Sequence, residues 1–64
     1  MTPAEVRAAV RRNRTMMSGP RSVREACAAA GLDYGRVRKQ MSRETMTADV
    51  ADALRRVLEA VPTR

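Results

Sequence analysis

Histidine, tryptophan and phenylalanine are absent from this chain of 64 residues, and tyrosine and cysteine occur once each, as Tyr34 and Cys27. Without histidine the commonest general base and metal ligand is missing. The lone thiol has no base near it in the sequence and no second cysteine to bridge to, which fits a reducing compartment. No residues stand at metal-ligand spacing, and no glycine-rich loop is followed by Lys-Ser or Lys-Thr. The acids are scattered. These absences argue against an enzyme and against a metal, a cofactor or a small-molecule ligand. No apolar run approaches the roughly 20 residues that cross a bilayer. Arg7, Arg11, Arg12 and Arg14 interrupt any signal-peptide core. The expectation is a cytoplasmic protein that stays off the membrane.

What is present reads as all-α. Alanine is abundant and runs of β-branched residues are lacking, so the core must come from Val, Leu, Met and Ala. A chain this short makes one domain, 1–64, and buries only about 60% of its unfolded surface, so its stability is marginal. No repeat, low-complexity tract or linker divides it.

Charge is placed unevenly. The net charge is +6 and the isoelectric point about 11.3. Residues 1–43 hold ten basic and three acidic side chains, whereas residues 44–64 hold three and four. The positive charge therefore belongs to the front two-thirds, where it can attract phosphates by releasing condensed counterions. The plain alternative is a soluble surface that happens to be basic.

Four helices can be placed from their punctuation. Thr2-Pro3-Ala4-Glu5 is a capping box with Pro at the first helical position, so helix 1 should run over about 3–17. Val6, Ala9, Val10, Met16 and Met17 share one face of it. Asn13 falls in that stripe, and we read it as the end of the packed region rather than as a buried amide with a backbone partner. Arg7, Arg11 and Arg14 lie on an adjoining face, either as a solvated row or as phosphate contacts. Ser18-Gly19-Pro20 is a turn.

Ser22-Val23-Arg24-Glu25 is a second capping box, opening helix 2 over about 23–30. Its N-terminus favours an anion, and Arg21 and Arg24 can strengthen a phosphate site there or serve as ordinary surface residues. Gly31 permits the left-handed conformation that closes a helix. Asp33 caps helix 3, over about 34–43, with Val37 and Met41 pointing inward. Arg36 points sideways, as a phosphate contact would. Thr47 caps helix 4, over about 48–61, with Asp49 in its first turn. Val50, Leu54, Val57, Leu58 and Val61 form the strongest amphipathic stripe of the chain. Opposite them, Asp52–Arg56 and Arg55–Glu59 stand at i, i+4. Pro62 ends this helix. The stripe can close the core or meet a second copy, and Leu58 and Val61 are the residues left for a partner.

The stretch from Ser22 to Ser42 resembles the helix-turn-helix of phage DNA-binding proteins of the Cro and repressor type, the lambda-repressor-like fold. The likeness covers about 20 residues and rests on spacing. With Val23 as the first position, the fifth, where helices cross closely, holds Cys27, and the ninth holds Gly31. The apolar fourth, eighth, tenth and fifteenth positions hold Ala26, Ala30, Leu32 and Val37. The eighteenth, usually apolar, is Gln40, and Met41 beside it can fill the same gap.

The resemblance implies that Tyr34, Gly35, Arg38, Lys39 and Ser42 face the major groove of duplex DNA, which admits a helix. Arg38 suits bidentate readout of guanine, Lys39 can do the same or hold a phosphate, and Tyr34 can touch a thymine methyl or cap the core. Gly35 would permit close approach. The implied function is a Cro-like transcriptional regulator in a bacterial host cell. It would act by occupying a double-stranded operator, as a homodimer on half-sites about 34 Å apart. Two other readings stand beside it. One is an excisionase-like or architectural DNA-binding factor. The other is a helical adaptor that docks the helix 4 stripe on a protein partner.

Overall fold

The computed structural model describes residues 1–59. Among them lie four helices and no strand: α1 (Pro3–Met16), α2 (Val23–Ala30), α3 (Tyr34–Ser42) and α4 (Ala48–Leu58). The ends of α1 to α3 follow from local chemistry. The Thr2 hydroxyl accepts from the Glu5 N–H at 3.3 Å, and the Thr2 N–H donates to Glu5 Oε1 at 2.8 Å. Ser22 accepts from the Glu25 N–H at 3.1 Å, and Asp33 from the Arg36 N–H at 3.2 Å. Each cap satisfies an amide that the helix cannot.

The second capping box is looser than the sequence suggests. Glu25 accepts not from Ser22 but from the Arg21 N–H, at 3.0 Å. Ser22 is fully extended (φ −151, ψ 163), which brings the amide before it within reach of the carboxylate. Thr47 is the N-cap of α4, but its side chain makes no cap hydrogen bond. Gln40 takes hold of it instead. The Thr47 N–H donates to Gln40 Oε1 at 3.1 Å and Gln40 Nε2 donates to the Thr47 hydroxyl at 3.3 Å. The side chain that departs from the apolar pattern at this position thus ties α3 to the start of α4.

The core is built from all four helices. Val6, Ala9 and Val10 of α1 meet Ala26 and Cys27 of α2, Val37 and Met41 of α3, and Val50, Leu54 and Leu58 of α4. α4 packs on α2 and α1, and α2 packs on α3. Burying these aliphatic side chains supplies the main stabilising term, at about 25 cal/mol per Å² of apolar surface. The radius of gyration, 10.9 Å, is that of a compact globule of this length.

Several expectations need correction. α1 stops at Met16, and Met17 leaves the helix in the left-handed region (φ 53). Met16 and Met17 are not packed but 68% and 71% exposed, because the buried stripe of α1 ends one turn earlier, at Asn13. Asn13 is itself a buried amide with a backbone partner: Nδ2 donates to the Pro20 carbonyl at 2.8 Å. Leu58 is not left for a partner, being 4% exposed within the chain's own core. Val61 and Pro62, assigned to the end of helix 4, lie outside the described residues. Of the two i, i+4 pairs expected on α4, Arg55–Glu59 forms at 3.9 Å, and Asp52–Arg56 is not among the ion pairs of the described residues.

α2 and α3 are joined by a turn in which Gly31 has φ 71. The Leu32 N–H donates back to the Cys27 carbonyl at 2.9 Å, closing the end of α2. Cys27 is 1% exposed in the core.

Candidate nucleic-acid interface

α3 divides its residues between core and solvent. Val37 and Met41, four apart, are sunk to 0% and 8% exposure. On the other side Gly35, Arg38, Lys39 and Ser42 are exposed, and Tyr34 is half-buried against the core. Four of the five residues singled out for base contact, Gly35, Arg38, Lys39 and Ser42, therefore lie on the part of α3 that the core leaves open, and Tyr34 does not. Of its two assigned roles, Tyr34 fills that of a cap on the core. One side of its ring packs on the core, and the Arg24 guanidinium lies over it, 5.0 Å from the centroid. That stacking links α2 to α3 and fixes where the charge of Arg24 stands.

Gly35 is not required by crowding. A Cβ there would meet only the Asp33 carboxylate, at 3.7 Å, an ordinary contact.

The arginines singled out for phosphate contact are held in different ways. Arg7 Nη2 donates to Glu44 Oε2 at 2.7 Å and to the Met41 carbonyl at 3.3 Å. Arg36 Nη2 donates to Asp49 Oδ2 at 3.1 Å. Arg14 Nε donates to the Arg21 carbonyl at 2.9 Å. The side chains of Arg11 and Arg21 are exposed and have no acceptor among the described residues. Arg7, Arg11 and Arg14 come together with Val10 and Val23 around an open recess of about 230 Å³ between α1 and the start of α2. A recess lined by guanidinium groups over an apolar floor suits an anion.

Spacing could not have found the carboxylates of this region. Glu44 is 37 residues from Arg7, and Asp49 is 13 from Arg36. The Arg7 guanidinium holds the Glu44 carboxyl below its ordinary pKa. Asp49 is lowered first by the Thr47 hydroxyl, and also by the Val50 N–H and by Arg36. Arg7 in turn is raised by Glu44. Away from this face, burial and then the charge of Asp33 push the Cys27 thiol up, so it is a poor nucleophile.

Among the described residues no group of His, Cys, Asp and Glu could hold a metal ion, and no helix is long and apolar enough to cross a membrane. Comparisons with models of protein families, with curated proteins and with solved structures find no match to this chain.

Proposed function

We propose that this protein binds duplex DNA with sequence selectivity, as a small Cro-like transcriptional regulator in which α2 and α3 act as a helix-turn-helix. The observation that carries the reading is the split of α3. Val37 and Met41 anchor it while Arg38 and Lys39 stand side by side in solvent, with no ion-pair partner among the described residues. Arg38 and Lys39 read base edges, Tyr34 and Ser42 flank them, and Gly35 lets the helix approach closely. Arg11, Arg14, Arg21 and Arg24 bind phosphates along α1 and the start of α2, setting register without reading sequence. Arg7 and Arg36 join them once released from their carboxylates.

One such helix is too little for selectivity in a genome, so two copies occupy half-sites about one DNA turn apart and exclude competitors from an operator. The excisionase-like reading shares this interface and differs in bending DNA. The adaptor reading loses ground, because Val50, Leu54 and Leu58 are spent on the chain's own core.

Selection of bound sites from a random duplex library tests the proposal. A palindromic site, bound with an affinity that falls steeply with salt, supports it. Recovery of no preferred sequence sinks it.

A further inference from the structure

Two ion pairs flank α3, and both acids come from the chain that follows it. Glu44 lies in the connection after Ser42, and Asp49 lies in the first turn of α4. Their partners are a residue of α1, Arg7, and a residue of α3, Arg36. Neither pair is buried: the arginine side chains are 49% and 52% exposed, and the acids 61% and 62%.

Backbone shape places Glu44 where it is. Its φ is 55, a conformation that side-chain-bearing residues rarely adopt. Its N–H donates to the Met41 carbonyl at 3.1 Å, the same carbonyl that accepts from Arg7. The cations on the open face of α3, Arg38 and Lys39, have no such partner among the described residues. Neutralisation is thus confined to the flanks.

A carboxylate on a guanidinium uses the donors that a phosphate would use. We propose that Glu44 and Asp49 are internal competitors for phosphate, keeping the guanidinium charges of Arg7 and Arg36 paired until a DNA backbone displaces them. The inference rests on the DNA-binding reading above and adds a device for selectivity. An exposed ion pair is weak, so a phosphate can replace the carboxylate. Much of the gain is lost, however, because the displaced acid stays beside the new anion. A duplex of the wrong sequence offers phosphates alone and leaves the pairs closed. A duplex that also engages Arg38 and Lys39 drives the exchange. The acids therefore lower sequence-independent affinity and raise the ratio of specific to non-specific binding.

The test compares Glu44→Gln, Asp49→Asn and, as a charge-matched control, Glu59→Gln. Glu59 pairs with Arg55 near the other end of α4. Binding to a short duplex of random sequence is measured by fluorescence anisotropy from about 50 to 200 mM salt, with folding checked by circular dichroism. Glu44→Gln and Asp49→Asn should each bind about threefold tighter at the lowest salt, and each should steepen the log–log slope by about 0.9. Glu59→Gln should bind like the unmodified chain. The two substitutions lie in separate elements, so loss of fold in one leaves the other as the test.

The proposal is overturned if Glu59→Gln has the same effect, which reduces the result to net charge. It is also overturned if Glu44→Gln and Asp49→Asn bind no tighter, which makes the acids supports for the arginines or bystanders. In both cases the unmodified chain still binds duplex, and the DNA-binding reading stands. If no chain binds duplex even at the lowest salt, that reading falls first and this one with it.

Discussion

Asn13 Nδ2 donates to the Pro20 carbonyl at 2.8 Å, joining the last buried position of α1 to the middle of the connection that leads into α2. The Asn13 carbonyl meanwhile accepts from the Met17 N–H, and from the Ser18 N–H at 3.0 Å. One residue thus closes the helix and pins the turn after it. Asn13→Ala should destabilise the chain by about 1–3 kcal/mol, since it leaves a part-buried carbonyl without its donor. In a domain this small that is a fall of about 7–22 °C in melting temperature. An unchanged melt would show that water replaces the amide at no cost.

The three glycines should respond differently to alanine. At Gly19, φ is 76 and a Cβ would stand 3.0 Å from Asn13 Nδ2, so strain and contact add. At Gly31, φ is 71 but nothing lies within 4 Å of the new Cβ, so only the left-handed backbone is penalised, by about 1–2 kcal/mol. Gly31→Asn should recover part of that loss. Gly35→Ala should instead stabilise, by less than the roughly 0.5–1 kcal/mol of a helix interior, because Gly35 is the second residue of α3. If α3 lies in a groove, the same methyl should weaken DNA binding. Thermal melts and binding isotherms on the same proteins separate the two effects.

The helices were largely legible in the sequence, because their ends are local. Thr2, Ser22 and Asp33 cap as their spacing suggests, and Gly31 takes the left-handed turn it was assigned. What escaped depends on residues distant in sequence. Asn13 reads as a polar interruption until Pro20 is brought to it. Gln40 reads as a misfit until Thr47 is seen to be its partner. The outward face of α3 was legible as the complement of Val37 and Met41. The pairing of Arg7 and Arg36 with carboxylates was not, since no periodicity within a helix encodes a pair between elements. Met16 and Met17 misled for the opposite reason: a helical wheel keeps turning after the packed partner has ended.

Acid should weaken the fold. The Glu5 carboxyl is held below its ordinary pKa first by the Thr2 backbone N–H, Glu44 by the Arg7 hydrogen bond, and Asp49 first by the Thr47 hydroxyl. A carboxyl lowered in the folded state contributes stability that is complete above its unfolded pKa and is lost as pH falls through the folded value. Melting temperature should therefore stay level from neutrality down to about pH 5 and drop below it. A rise on acidification would show that relief of some other strain outweighs these contacts.

Core truncation should be far costlier than any surface change. Leu54 is fully buried at 0% exposure among residues of the four-helix core. Leu54→Ala should cost about 2–5 kcal/mol. In a chain of marginal stability this should leave much of the population unfolded at room temperature, with loss of helical circular dichroism. Retained cooperative unfolding at an unchanged midpoint would contradict the packing described for α4.

The face of α3 carries the whole functional account, and Arg38 is its centre. The decisive measurement is the affinity of the unmodified chain and of Arg38→Ala for a selected duplex and for its single-base-pair variants, at fixed salt. The account predicts a loss of about 1–3 kcal/mol on the selected site, with discrimination abolished at one base pair and kept at the others. An equal loss on every duplex would make Arg38 a backbone contact, and no loss on any would remove α3 from the interface.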